Sequence, residues 1–234
     1  MKTVNILLCD TFPGLLPDFV KSYEDMFMKL FNSVADGLKF NVFLTLNGEL
    51  PQELHNDELY VITGSNNGAC QDIEWINKLK QWIIKAVAAK TRILGVCFGH
   101  QVIAEALGGK VIKFPGGFGT GIRTSKIITP EAKKYYTKGE VNLLYLHHDQ
   151  VVELPKDAVC FLTDDFCKYG GFTIGDHVVT YQGHPEFEIP YVRHILTNHS
   201  QNEDPEVLKK AFESFESGKQ LDGTIAATWA LNLK

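Results

Sequence analysis

Ile93-Leu94-Gly95-Val96-Cys97-Phe98-Gly99-His100-Gln101 places one cysteine between two glycines, after an apolar run and before a helical one. In such a G-x-C-x-G turn a buried strand reverses into a helix, and the flanking glycines permit the strained backbone and close packing that the bend needs. The stretch therefore predicts a nucleophile elbow, with the thiol lifted out of the sheet. A helix N-terminus at this point offers unpaired N–H groups and the positive end of the dipole, which stabilise negative charge on sulfur and on a developing oxyanion. Taken alone, the pentapeptide serves equally well as a small buried hydrophobe beside glycines that let a helix pack close.

The sequence around the elbow sets its surroundings. Apolar strands at about 3–9, 39–46, 58–63 and 91–96 alternate with helical segments, the pattern of a parallel sheet covered on both faces. An α/β doubly wound fold is expected. Pro17-Asp18-Phe19 opens a helical pattern that runs to about Val34 and ends before Asp36-Gly37, with Phe19, Tyr23, Met26, Phe27, Leu30 and Phe31 on one face; this stripe reads as core. The same holds for Trp75, Leu79, Trp82, Ile83 and Val87. From about 110 to 182 the helical signal fades and short β-rich runs between Gly and Asp turns predict antiparallel additions to the sheet. Helices return at Pro190 to His199, Pro205 to Phe215 and Thr224 to Leu231. The expected organisation is one domain over residues 1–200, with residues 201–234 a C-terminal helical extension packed on it.

Composition narrows the function. With 234 residues, 44% apolar and 22% charged, the chain buries a substantial core, which excludes disordered and fibrous classes. The net charge of −5 is spread without blocks or a basic stripe, so nucleic-acid binding has no support. The five cysteines, at 9, 70, 97, 160 and 167, form no C-x-x-C pair, and their odd number rules out a complete disulfide framework. A reducing cytoplasmic setting is expected. The apolar run within residues 1–10 is too short for a signal peptide or a membrane span and reads as a first central strand.

A second motif supplies partners for the cysteine. Past Val178-Val179-Thr180-Tyr181 the chain reads Gln182-Gly183-His184-Pro185-Glu186-Phe187. Pro185 biases His184 toward an extended conformation. Residues i and i+2 of extended chain project to one side, so the imidazole and the carboxylate face a common partner. A third run, His147-His148-Asp149-Gln150-Val151, sets two histidines beside a carboxylate. Adjacent strand residues point to opposite faces, so His147 and His148 make a poor metal pair, and no metal or other cofactor is expected. The glycine-rich Pro115 to Gly121 lacks both the Lys-Ser/Thr ending of a phosphate loop and a G-x-G-x-x-G opening a helix.

Together, the GVCFGHQ, YLHHDQV and GHPEF segments resemble the class I, triad-type glutamine amidotransferases, especially the glutaminase domain of GMP synthase and its stand-alone relatives, among them the γ-glutamyl peptidases. The resemblance spans about residues 40 to 195 and implies a flavodoxin-like core. It also implies that Cys97 is the nucleophile, His184 the general acid/base and Glu186 its orienting carboxylate. The oxyanion donors would be the backbone N–H groups of Phe98 and of Ser65, the latter in the loop Thr63-Gly64-Ser65-Asn66-Asn67-Gly68, where relatives have two glycines in place of Gly64-Ser65. By the same resemblance Gly64, Gln101, Gly119, Thr120 and Asp149 bind substrate, although Thr120 replaces the usual aromatic.

The implied chemistry is release of ammonia from the glutamine side chain through a γ-glutamyl thioester. A thiolate attacks the amide carbon while N–H donors hold the oxyanion, and the imidazole protonates the departing nitrogen and then activates water. The expected partners are a small-molecule substrate, glutamine or a γ-glutamyl compound, and a synthetase that receives the ammonia. The alternatives are a γ-glutamyl peptidase, which needs a roomier pocket for its leaving group, and an inactive binding or regulatory module on the same fold.

Overall fold

The computed structural model describes residues 2–234. In chain order, β1 (Thr3–Leu8), α1 (Tyr23–Asn32), β2 (Lys39–Leu44), β3 (Leu59–Ile62), α2 (Glu74–Ala88), β4 (Arg92–Val96) and α3 (Phe98–Ala106) form the alternating half. A β-rich half follows, with β5 (Lys110–Lys113), β6 (Gly119–Ile127), α4 (Pro130–Lys133), β7 (Glu140–His147), β8 (Asp149–Glu153), β9 (Ala158–Thr163), β10 (Gly171–Ile174) and β11 (Val178–Tyr181). Helices α5 (Ile189–His199), α6 (Pro205–Phe215) and α7 (Gly223–Leu231) complete the chain.

One nine-stranded sheet, in the order β2-β1-β3-β4-β11-β10-β9-β6-β7, runs through the molecule. Strands β2, β1, β3, β4 and β11 are parallel neighbours, while β10, β9, β6 and β7 continue the sheet antiparallel. This is the expected doubly wound, mostly parallel sheet with antiparallel additions. Strands β5 and β8 make a separate antiparallel pair. The buried runs Val61-Ile62 and Leu94 to Val96 are apolar on both faces because helices cover both. Two apolar clusters result, one gathering α1 and α7 and the other gathering α2 and α3.

The last helices join the first of these clusters: Ala211, Phe215, Ala226, Ala227, Trp229 and Leu231 are buried in it. Polar anchors hold them at the same time, since Ser214 Oγ accepts the Ile122 N–H at 2.9 Å and Asp222 Oδ2 accepts the Asn142 N–H at 2.8 Å.

Helix α1 starts later than its apolar pattern predicts. Ser22 is its N-cap, with Oγ accepting the Asp25 N–H at 3.4 Å, so residues 17–21 lie outside the helix and Phe19 is 60% exposed. A side-chain cap ends the helix where periodicity alone would extend it. The shift brings Tyr23 to the first helical position, above the parallel strands' C-terminal edge.

Candidate active site

Four chain segments converge at the C-terminal ends of the parallel strands, where ligands bind in open α/β sheets. They are the β1 exit, the loop after β3, the elbow after β4 and the segment after β11. At the elbow Cys97 has φ 52° and ψ −101°, left-handed for a residue with a Cβ, a strain of about 1–3 kcal/mol that the surroundings must hold. The two glycines explain how. A methyl on Gly95 would sit 2.6 Å from Ile103 Cδ1 and 2.9 Å from the Gly99 backbone, and one on Gly99 would collide with the Ile62 carbonyl oxygen. The bend is therefore tight enough to exclude any side chain on either flank. The Cys97 N–H is tied to the Tyr181 carbonyl at 2.8 Å.

His184 is placed by its own backbone, whose N–H reaches the Leu144 carbonyl at 2.8 Å. Its Nδ1 lies 2.7 Å from Glu186 Oε1, both side chains being almost fully buried. Phe187 stacks on the ring, with centroids 3.8 Å apart and planes 4° from parallel. Burial by itself disfavours the charged imidazole. The neighbouring Glu186 carboxylate, and after it Cys97, outweigh burial and raise the His184 pKa. The ring is thus held by the carboxylate two residues on, with Cys97 close enough to contribute to the same shift. His147 and His100 lack such a partner, and burial pushes both down to about 3, so they stay neutral. Burial likewise pushes the Cys9 thiol up to about 12 and raises Cys167; neither is poised as a nucleophile.

The loop after β3 is pinned by acceptors at its start. Asp10 Oδ2 takes the Asn66 N–H at 2.9 Å, and Ser65 Oγ takes the Asn67 N–H at 3.1 Å. The Gly64 N–H goes to the Tyr23 hydroxyl at 3.0 Å. Among the described residues no protein acceptor takes the Ser65 N–H, and Phe98 opens α3, where N–H groups have no helical acceptor. Gly64 itself cannot carry a side chain, because a methyl would approach the Tyr23 hydroxyl to 2.7 Å and His184 Cε1 to 3.2 Å.

A cleft of about 430 Å³ opens at the elbow, lined by Cys97, Ser65, Gln101 and Asp149 and also by Phe118, His148, His199 and Glu203. A larger groove of about 880 Å³ beside α2 holds no cysteine, serine or histidine, so the smaller cleft is the candidate site.

Within the cleft, Gln101 donates through Nε2 to the Asp149 carbonyl at 2.8 Å and to Gln182 Oε1 at 3.1 Å, and Gln182 Nε2 in turn lies 3.6 Å from Cys97 Sγ. Gly119 and Thr120 begin β6, paired with His147 and Leu146, and the residue that lines the cleft beside them is Phe118. A methyl on Gly119 would press to 2.6 Å on His147 Nε2, so this glycine gives His147 room. His147 Nδ1 lies 3.0 Å from the Asp149 carbonyl, whereas His148 stacks on Phe118 and reaches Glu203 Oε1 at 3.2 Å. The two histidines thus have separate surroundings, His148 lying at the bend between β7 and β8. Tyr23, Gln182 and Asp10 also contact the candidate site residues or their loop, and no sequence motif marks them. Tyr23 is core, as its spacing predicts, and because a buried phenol needs a hydrogen-bond partner its hydroxyl is the signal that points to a further role.

The residues and their arrangement match a known class. Residues 16–215 match the family model for class-I glutamine amidotransferases, and the chain belongs to this family of enzymes. It is 33% identical to γ-glutamyl peptidase 3 of Arabidopsis thaliana over 182 residues, covering 73% of this chain and 72% of the relative. It is 30% identical to γ-glutamyl peptidase 2 of the same plant over 210 residues, covering 85% and 84%. The fold is shared with the crystal structure of a glutamine amidotransferase from Thermotoga maritima, at TM-score 0.71 and 18% identity over 99% of this chain and 96% of that one. Among the described residues no helix is long and apolar enough to cross a membrane.

Proposed function

We propose that the chain is a cysteine-dependent γ-glutamyl amide hydrolase with Cys97, His184 and Glu186 as its catalytic triad, and that it accepts leaving groups larger than ammonia. Cys97 attacks the γ-carbonyl carbon, the Ser65 and Phe98 N–H groups hold the oxyanion, and the C–N bond breaks as His184 delivers its proton to the leaving nitrogen. Water, deprotonated by His184, then cleaves the thioester to free glutamate and restore the thiol. Glu186 keeps the imidazole oriented with Nε2 toward sulfur. Asp149 and Gln101, which line the cleft, hold the γ-glutamyl head group, while Gly64, Gly119 and Thr120 lie behind its lining, Gly64 against the Tyr23 hydroxyl and Gly119 against His147.

The observation that carries the choice of substrate is the cleft. Its 430 Å³ falls in the range of about 300–1,000 Å³ that holds drug-sized ligands, more than glutamine alone requires. Its lining extends past Cys97, Gln101 and Asp149 to Phe118, His148, His199 and Glu203, which would face a leaving amine or peptide. The γ-glutamyl peptidase relatives support the same reading. Glutamine is then the smallest substrate. Delivery of its ammonia to a synthetase partner is a second reading, favoured by the family match.

Glutamate release from glutamine and from a panel of γ-glutamyl dipeptides tests the proposal, with dipeptides expected to give the higher kcat/KM and Cys97→Ser to abolish release from all. A preference for glutamine, rising further when a co-purifying synthetase is added, favours the second reading. Full activity in Cys97→Ser overturns the triad.

A further inference from the structure

Tyr23 lies far from every motif in the sequence, yet its hydroxyl is shared by two parts of the site. It donates to Glu186 Oε1 at 2.9 Å and accepts the Gly64 N–H at 3.0 Å. The side chain is fully buried, held edge-on between Phe12 and Phe27 with Phe187 nearby. Both bonds span long stretches of chain, from α1 to the His-Pro-Glu segment and from α1 to the loop after β3. One oxygen therefore joins the carboxylate that orients His184 to the peptide unit that precedes the Ser65 N–H.

We infer that Tyr23 is a positioning residue that sets the triad carboxylate and the oxyanion loop in register with each other, so that the imidazole and the oxyanion donors meet the same carbonyl group. The inference rests on the triad and oxyanion roles proposed above. Three geometric facts support it. Gly64 has no room for a side chain because the Tyr23 hydroxyl is there. The Gly64 N–H is taken by Tyr23, while the next N–H, that of Ser65, has no protein acceptor among the described residues. Oε1 of Glu186 is the atom that receives both His184 and Tyr23, so the phenol and the imidazole fix the carboxylate from two directions. Burial, reinforced by the Glu186 charge, raises the Tyr23 pKa well above the ordinary phenol, and the hydroxyl keeps the proton it donates.

Tyr23→Phe removes the oxygen and keeps the ring. The charge-assisted bond to the carboxylate is lost, and kcat on a γ-glutamyl substrate is expected to fall about tenfold or more while KM stays within about twofold. A second readout separates positioning from packing. Tyr23 draws charge from the same Oε1 that holds His184, so its removal should move the His184 ring titration, followed by 15N–1H NMR, upward. The groups that face the ring are Cys97, Glu186 and, more distantly, His147, and none of them changes. Should Tyr23→Phe fail to fold, a fluorinated tyrosine at position 23 keeps the shape and both bonds but donates more strongly, and the His184 titration should move downward.

A kcat within twofold of wild type, or a loss carried by KM with an unmoved His184 titration, overturns the inference. If the wild type cleaves no γ-glutamyl substrate at all, the catalytic reading of Cys97 fails, and the titration alone decides: an upward shift sustains the Tyr23 bridge and an unmoved one refutes it.

Discussion

Replacing Glu186 by glutamine isolates what a buried charge does for the imidazole beside it. Oε1 of Glu186 accepts from His184 at 2.7 Å and from Tyr23 at 2.9 Å, in a side chain shut off from solvent. Glutamine has the same shape but no charge. Burial, the largest influence on His184, works against its protonation, and the Glu186 carboxylate is the first of the groups that reverse it. Without the charge His184 should resemble its buried neighbour His147, a neutral ring. A hydrogen bond to a charged group contributes about 1.5–3 kcal/mol, so kcat should fall roughly 10- to 150-fold. The assay is steady-state glutamate release across pH, paired with thermal melts over the same range. Because His184 binds its proton more tightly in the folded chain, its stabilisation is complete below the unfolded value of about 6.5 and disappears as pH rises through the raised folded value. The wild type should lose that increment on the alkaline side, and Glu186→Gln, having none to lose, should show a flatter profile above about pH 6.5. Melting profiles that superimpose, or a kcat within twofold of wild type, would refute this reasoning.

Two further outcomes follow from packing and charge elsewhere. Gly99→Ala drives a methyl into the Ile62 carbonyl oxygen and should cost about 1–3 kcal/mol or more in a denaturant titration; an unchanged midpoint would mean that the elbow yields freely. Asp164 accepts from Arg123 at 3.2 and 3.1 Å, from Ser125 at 3.1 Å and from the Phe166 and Cys167 N–H groups at 2.7 and 2.6 Å. Burial raises its pKa, but Arg123 and these N–H donors more than offset burial and lower it. Asp164→Asn should therefore destabilise by about 3 kcal/mol at neutral pH. The stabilisation from Asp164 is present above the unfolded value of about 3.9 and lost as pH falls through the lower folded value. Denaturant midpoints at pH 7 and pH 3 should show the gap between wild type and variant narrowing in acid, and a constant gap would contradict the assignment.

Much of the site was legible because its signals are local. Gly95 and Gly99 announce a bend too tight for side chains, and Pro185 announces extended chain between His184 and Glu186. Both readings depend on sterics within a few residues. The start of α1 was less legible: Phe19 has the right spacing for the buried stripe, but the Ser22 cap competes with that periodicity and ends the helix before reaching it. The resemblance assigns Gly119 and Thr120 to the substrate, and the residue of this run that lines the cleft is Phe118. Residues i and i+2 share a face of extended chain, so strand alternation does not choose between Phe118 and Thr120, and only the packing around the cleft brings Phe118 to it.

The amino-acid sequence determined the alternating parallel sheet, the elbow at Cys97 and the pairing of His184 with Glu186, since hydrophobic period, glycine sterics and proline bias act over short stretches of chain. Tertiary structure alone decided that the Tyr23 hydroxyl bridges Gly64 and Glu186, that Gln182 reaches the sulfur, and that His199 and Glu203 from the last third of the chain line the cleft. Such contacts join residues far apart in sequence, and their geometry follows from how the helices pack across the sheet, which no local pattern encodes.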